Sequence, residues 1–198
     1  MQNRSAPDGS LHAVAARGTL MGNRGGRLHR EDGTLGRARW RGPAWIACRL
    51  DFRGRRRQVM GAGYTEVFFL DEATALAAGH RPCFECRRAD ALAFAAAWAS
   101  AFGLDAPPRA AAMDRLLHAQ RRAPREYLPI DALPAGSVFA ADGYFWLRTP
   151  QGARRWSFEG YGPAARADPA MTVQAVTPPV TRAVLASGYR PGLHPSAG

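Results

Sequence analysis

The sequence predicts an α+β protein: small antiparallel β-hairpins and helices around a Cys83-x-x-Cys86 knuckle, followed by a helix and a small β-meander. Three observations predict it. Short β-favouring runs separated by glycine-bearing turns fill residues 18–70 and recur after 128. Alanine-rich segments of helical period lie between them. The two paired cysteines fall at the junction of the first two such segments, where a stop and a start meet.

Residues 1–18 carry no periodicity and are expected to form a flexible N-terminus, ahead of a zinc-type domain over 19–104. Arg27–Arg30 is a short extended stretch, Asp32-Gly33 a hairpin turn, and 45–52 a strand that contains Cys48. Arg56–Met60 and Glu66–Leu70 read as further strands. Asp71 is an N-cap, Glu72 suits the positive helix end, Ala73–Ala78 propagate, and Gly79 with Pro82 stops the helix. Ala89–Phe102 is a longer helix with Phe94, Trp98 and Phe102 as its stripe. Pro107-Pro108 introduces a helical connector over 105–127, in which Ala110–Arg122 places Met113, Leu116 and Leu117 on one side. A β-rich segment follows over 128–198. Ser137–Ala141, Tyr144–Arg148 and Arg154–Phe158 form a meander through Asp142-Gly143 and Gln151-Gly152, Met171–Val176 adds a strand, and a short helix stops at Gly188.

The 198 residues include 27 arginines and no lysine against 16 acidic residues, a formal charge of +11. Residues 1–60 carry 13 of those arginines and 4 acids. Arginine pairs with phosphate bidentately, so DNA or RNA is the expected polyanion, with Arg24, Arg27, Arg37, Arg39, Arg41, Arg53, Arg55, Arg56 and Arg57 on the phosphate side. No apolar run approaches the ~18 residues that a membrane span requires, and Met1–Ser10 lacks an apolar signal core, so a cytoplasmic location and no membrane partner are expected.

Three cysteines do not make a disulfide framework. A C-x-x-C pair is compatible with structural zinc, a free dithiol or a redox pair. Zn2+ is the expected cofactor, because two intervening residues let both sulfurs face one ion and a helix N-terminus favours thiolate. Cys48 is the remaining thiol. The redox reading lacks the alternating strand and helix context of thioredoxin-like proteins.

Residues 76–82 (Leu-Ala-Ala-Gly-His-Arg-Pro) are echoed at 185–191 (Leu-Ala-Ser-Gly-Tyr-Arg-Pro), with Gly192 in the place of Cys83. The shared Gly-x-Arg-Pro is therefore a helix-stop device, and the cysteines are what distinguish the first copy.

Phe68-Phe69-Leu70-Asp71-Glu72-Ala73, running through Gly79-His80-Arg81-Pro82-Cys83-Phe84-Glu85-Cys86-Arg87, resembles the second half-site of the metal-binding domain of Ada-type DNA-repair proteins. Ile46-Ala47-Cys48-Arg49 is similar to that family's first ligand segment. The resemblance covers roughly residues 20–104 and implies zinc at Cys48, Cys83 and Cys86. It also implies that Cys48 matches the position that accepts a methyl group from a DNA phosphotriester. The family's further cysteine, four residues after the first, is Phe52 here. His29 is the expected replacement, His80 the alternative, and His12, His194, a carboxylate or water lie behind them.

Three thiolates and a neutral histidine leave less charge on sulfur than four thiolates, so a structural site is expected over a reactive one, with no catalytic residue assigned. No Walker-type loop, Ser/His/Asp signature or Mg²⁺-binding acidic cluster is present in the sequence. The function expected is that of a zinc-binding, nucleic-acid-contacting, non-catalytic protein. The alternatives are a zinc-dependent alkyl acceptor or nucleic-acid-processing enzyme using Cys48, and a zinc-stabilised interaction module whose aromatic C-terminal segment docks a protein.

Overall fold

The computed structural model describes residues 1–54 and 58–198; Arg55, Arg56 and Arg57, with the start of the expected Arg56–Met60 strand, lie outside the described residues. Val59 and Met60 form a turn. The first sheet is built from β1 (Arg4–Ser5), β2 (Leu11–His12), β3 (Leu20–Arg24), β4 (Trp45–Arg49), β5 (Val67–Phe69) and β6 (Arg81–Pro82). Their order is β2-β1-β5-β3-β4-β6, with β1–β5 and β4–β6 parallel and the other pairs antiparallel.

Three helices accompany this sheet: α1 (Glu72–Ala77), α2 (Arg88–Ala101) and α3 (Ala110–Arg122). The second sheet holds β7 (Tyr127–Pro129), β8 (Val138–Ala141), β9 (Tyr144–Thr149), β10 (Gly152–Trp156), β11 (Tyr161–Ala165) and β12 (Thr172–Ala175), and α4 (Pro179–Ala186) follows. That sheet is antiparallel throughout, ordered β11-β10-β9-β8-β12-β7, so the expected meander is its centre. The α+β class is as the sequence predicts. Among the described residues, no helix is long and apolar enough to cross a membrane.

The expected flexible N-terminus is corrected. β1 pairs in parallel with β5 through Arg4 and Phe68, and Asn3, Ser5 and Ala6 are buried. β1 and β2 are two residues long and carry no hydrophobic alternation, so their order comes from sheet pairing and not from a local pattern. The expected boundaries near 104 and 127 also run through shared cores. One core joins Leu76 of α1, Phe94 and Trp98 of α2, Met113 and Leu117 of α3, and Val184 and Leu185 of α4. Another joins Ala73 and Ala77 of α1 to Val138, Leu147, Trp156 and Tyr161 of the second sheet. Phe102 and Leu116, expected on buried stripes, are exposed: Phe102 lies beyond the last turn of α2, and Leu116 is off the face that Met113 and Leu117 bury at i, i+4.

The α1 N-terminus ties these layers together. Asp71 accepts from the Thr74 backbone N–H at 2.9 Å and the Thr74 hydroxyl at 2.8 Å. Its other oxygen accepts from the Tyr161 hydroxyl at 2.9 Å and the His194 N–H at 3.1 Å. Glu72 accepts from the Tyr189 hydroxyl at 2.6 Å and the Gly192 N–H at 2.8 Å, and pairs with Arg87 at 2.8 Å. Burial, then the neighbouring carboxylates, push the Tyr161 and Tyr189 phenols up, so both stay protonated donors.

Gly79 and Gly188 stop α1 and α4 at φ of 84° and 105°. In both copies the glycine and next residue donate back into the helix: Gly79 to Leu76, His80 to Ala75, Gly188 to Leu185 and Tyr189 to Val184. In each copy the following ring is buried.

Because Asp71 saturates both oxygens inside the protein, Asp71→Ala is expected to lower stability by about 2–4 kcal/mol through a lost cap and stranded buried donors. Urea unfolding of the two proteins measures this, and a difference below about 0.5 kcal/mol would contradict the assigned role.

Candidate metal centre

Strand register brings the cysteines together. β4 and β6 pair in parallel with Ile46 opposite Arg81 and Ala47 opposite Pro82. The next residue on each strand is a cysteine, and the Cys83 N–H donates to the Ala47 carbonyl at 3.0 Å. Beyond Cys83 the chain turns, with the Arg87 N–H donating to the Cys83 carbonyl at 3.0 Å, and this turn returns Cys86 to the same side. The turn's exit is clamped by Arg87, which pairs with Glu72 and Asp90 at 2.8 Å each.

The three sulfurs lie within 4.8 Å of one another. A tetrahedral zinc with bonds of about 2.3 Å sets its sulfurs about 3.8 Å apart, so small adjustments suffice and the donor set fits a metal ion. Two backbone amides point at the site: the Glu85 N–H donates to the Cys83 sulfur and the Arg49 N–H to the Cys86 sulfur, each at 3.4 Å. Cys83 is buried, whereas Cys48 and Cys86 are partly exposed.

Without metal the protons are unevenly held. A hydrogen bond from the Cys48 thiol, the largest influence, lowers the Cys83 thiol below the ordinary range, helped by the amides of Cys86 and Glu85 against an opposing burial effect. That same bond, followed by burial, raises Cys48, and burial raises Cys86. The shared hydrogen bond therefore favours the thiolate at Cys83 over its two neighbours.

All three cysteines line a cleft of about 250 Å³ that also involves Met21, Asn23, Phe52, Tyr64, Glu66 and Glu85. Asn23, Tyr64, Glu66 and Glu85 were not singled out from the sequence. They sit on β3, on the approach to β5 and in the knuckle, and only the sheet order brings them together. Glu66 is buried and accepts from the Met60 N–H at 2.8 Å.

Neither expected histidine joins the sulfurs. Among the described residues the group consists of Cys48, Cys83 and Cys86. The His29 ring is engaged elsewhere, with Nδ1 2.6 Å from the Thr65 hydroxyl and Nε2 3.0 Å from the Gly61 carbonyl. The carbonyl can only accept, so Nε2 carries the proton and Nδ1 receives the Thr65 hydrogen; ligation would require the ring to leave both. The Asp32-Gly33 turn does form, but its bridge pairs His29 with Leu35 and not with β4. His80 is fully buried between Trp45 and Phe69, at ring separations of 4.9 and 4.6 Å. Burial, then Arg24 and Arg121, hold it neutral by lowering its pKa well below the usual range.

Of the arginines expected on a phosphate face, Arg37, Arg39, Arg41 and Arg53 are exposed and Arg27 is partly buried. Arg24 is corrected: it is 1% exposed, because β3 places it opposite Trp45 and its guanidinium lies 4.1 Å from that ring.

Comparison with protein-family models, with curated proteins and with solved structures finds no match.

Since thiols must give up their protons to ligate a metal, metal loading should weaken as pH falls. The logarithm of apparent affinity is expected to rise with pH near neutrality. Zinc titration against a competing chelator at several pH values measures the slope, and a flat profile contradicts thiolate ligation.

Proposed function

We propose that this chain binds Zn2+ through Cys48, Cys83 and Cys86, that the ion staples β4 to the turn before α2, and that the protein is a non-catalytic binder of nucleic acid. The observation that carries the metal reading is the convergence of three sulfurs from two segments 35 residues apart. All three line the same cleft, so a fourth ligand enters from that side: water, or a carboxylate of the lining such as Glu66 or Glu85. Zinc is the metal of choice because thiolate ligands in a three-sulfur set suit it and calcium or magnesium do not. A three-thiolate zinc with a neutral fourth ligand carries a net charge of −1, which leaves the sulfurs less nucleophilic than a four-thiolate centre and supports a structural role.

The nucleic-acid reading rests on the exposed Arg37, Arg39, Arg41 and Arg53, which belong to the strongly basic first 60 residues. Arginine contacts to phosphate position a protein on a polyanion and make its affinity fall with salt. Of the C-terminal aromatics, Trp156 and Tyr161 are buried, Trp146 and Phe158 are partly buried and Tyr144 is exposed.

A second reading has one observation in its favour. Cys48, the residue matched by the Ada-type resemblance to a methyl acceptor, is partly exposed and lines the cleft beside the other two thiols. In that reading its sulfur forms a bond to the methyl carbon of a phosphotriester as the carbon–oxygen bond breaks, leaving a phosphodiester.

Purified protein is expected to contain one zinc per chain, lost in Cys48→Ser and Cys83→Ser and retained in His80→Ala. Elemental analysis decides this; metal-free protein, or metal retained by both serine variants, would overturn the metal reading. Retention in His29→Ala would remove His29 from the fourth position. Binding to duplex DNA or RNA is expected to weaken steeply with salt, and each of Arg37→Ala, Arg41→Ala and Arg53→Ala to reduce the salt slope by about one. Fluorescence anisotropy at several salt concentrations tests that arm. Mass spectrometry of Cys48 after exposure to methylated DNA tests the second reading, which an unmodified cysteine eliminates.

A further inference from the structure

A second cleft, of about 270 Å³, is lined by Arg24, Arg39, Arg121, Arg122 and Arg125 together with Trp40, Trp45 and His118. None of these five arginines makes an ion pair with a carboxylate among the described residues. The contrast with the protein's other buried arginines is informative. Arg81 is 6% exposed and bidentate on Asp114 at 2.8 Å, and Arg87 is 8% exposed and held by Glu72 and Asp90. Arg24, at 1% exposed, is the most buried of the three and has only the Ser5 hydroxyl at 3.2 Å, while its Nε has no partner. A buried cation left in this state is costly, and an anion entering the cleft would relieve it.

Arg121 donates to the Gly79 and Pro43 carbonyls at 3.0 Å each and lies 4.3 Å from the Trp45 ring, so it shares that indole with Arg24. Burial first, then repulsion from Arg121, lowers Arg24 to about 9, and Asp8 is the acidic residue on the cleft wall. At the rim, Trp40 is 39% exposed, its ring 5.5 Å from that of His118, with the Arg122 guanidinium 6.0 Å from its centre. An exposed indole beside an arginine cluster can stack a flat ring while the cations hold a phosphate.

We propose that this cleft binds a nucleoside phosphate, its phosphate on Arg24, Arg39 and Arg122 and its base against Trp40. The same chemistry can be presented by a free mononucleotide or by the phosphorylated end of a strand. The site shares Arg39 with the polyanion reading and goes beyond it, because it involves neither the cysteines nor Arg37, Arg41 and Arg53.

Calorimetric titration of the full chain with AMP, adenosine and inorganic phosphate tests it. AMP is expected to bind at one site and more tightly than either fragment. Arg39→Gln and Arg122→Gln, both at exposed positions, should each weaken AMP about tenfold, and Trp40→Ala should weaken AMP but not inorganic phosphate. Arg24→Gln should abolish binding; if it does not fold, the two exposed variants carry the test. No binding of AMP, equal binding of adenosine or of inorganic phosphate, or unchanged binding in both exposed variants would each overturn the proposal. A tetranucleotide with a 5′-phosphate, compared with the same strand lacking it, separates the sources: preference over AMP supports a strand end, and no preference supports a free mononucleotide. AMP binding that persists in Arg37→Ala, Arg41→Ala and Arg53→Ala, in a chain that does not bind duplex, would refute the nucleic-acid reading and leave this site standing.

Discussion

Two adjacent carboxylates at the start of α1 hold this structure in register. Asp71 and Glu72 are buried, and between them they engage Thr74 of their own helix, Tyr161 of the second sheet, Tyr189 and Gly192 beyond α4, His194, and Arg87 beside the cysteines. Burying two negative charges is unfavourable unless nearly every lone pair is satisfied, and here the partners include one guanidinium, two phenols and three backbone amides. The two sheets and the C-terminal tail therefore meet at one helix end. Hydrophobic packing around Ala73, Leu76 and Ala77 supplies the bulk of the contact, and the carboxylates define its geometry.

The arginines fall into three kinds by the company they keep. Arg81 and Arg87 are buried with carboxylates and serve the scaffold around the cysteines. Arg37, Arg41 and Arg53 are solvated and free of a buried role in the scaffold. Arg24 and Arg121 are stacked on one indole without an acidic partner in contact. A residue count cannot separate these kinds, although each has a different consequence for binding.

Helices were legible in the sequence to within a residue or two, because α1, α3 and α4 carry local signals: the Asp71 cap, the Gly79 and Gly188 stops, and the Met113–Leu117 pair. The central meander was legible for the same reason, through Asp142-Gly143 and Gln151-Gly152. β1, β2 and β6 were not, since each is two residues long and exists only as a partner to a strand remote in sequence. The site divides in the same way. Cys48, Cys83 and Cys86 announce themselves by residue type and spacing, and register then brings them together. His29 was a sound inference from the Asp32-Gly33 turn, yet that turn folds on itself and Thr65 takes the ring. Arg24 looked like surface because a single arginine carries no mark of burial; its position opposite Trp45 decides the matter.

Arg87 has a consequence that reaches from one end of the fold to the other. It leaves the cysteine turn and pairs with Glu72, which in turn holds Tyr189 and Gly192 of the tail. Equilibria joined through a shared group are reciprocal, so whatever free energy the docked tail contributes to forming the turn, the formed turn returns to tail docking. The cysteine turn and the segment around Tyr189 and Gly192 thus lean on one carboxylate, though no atom of the tail belongs to the cluster.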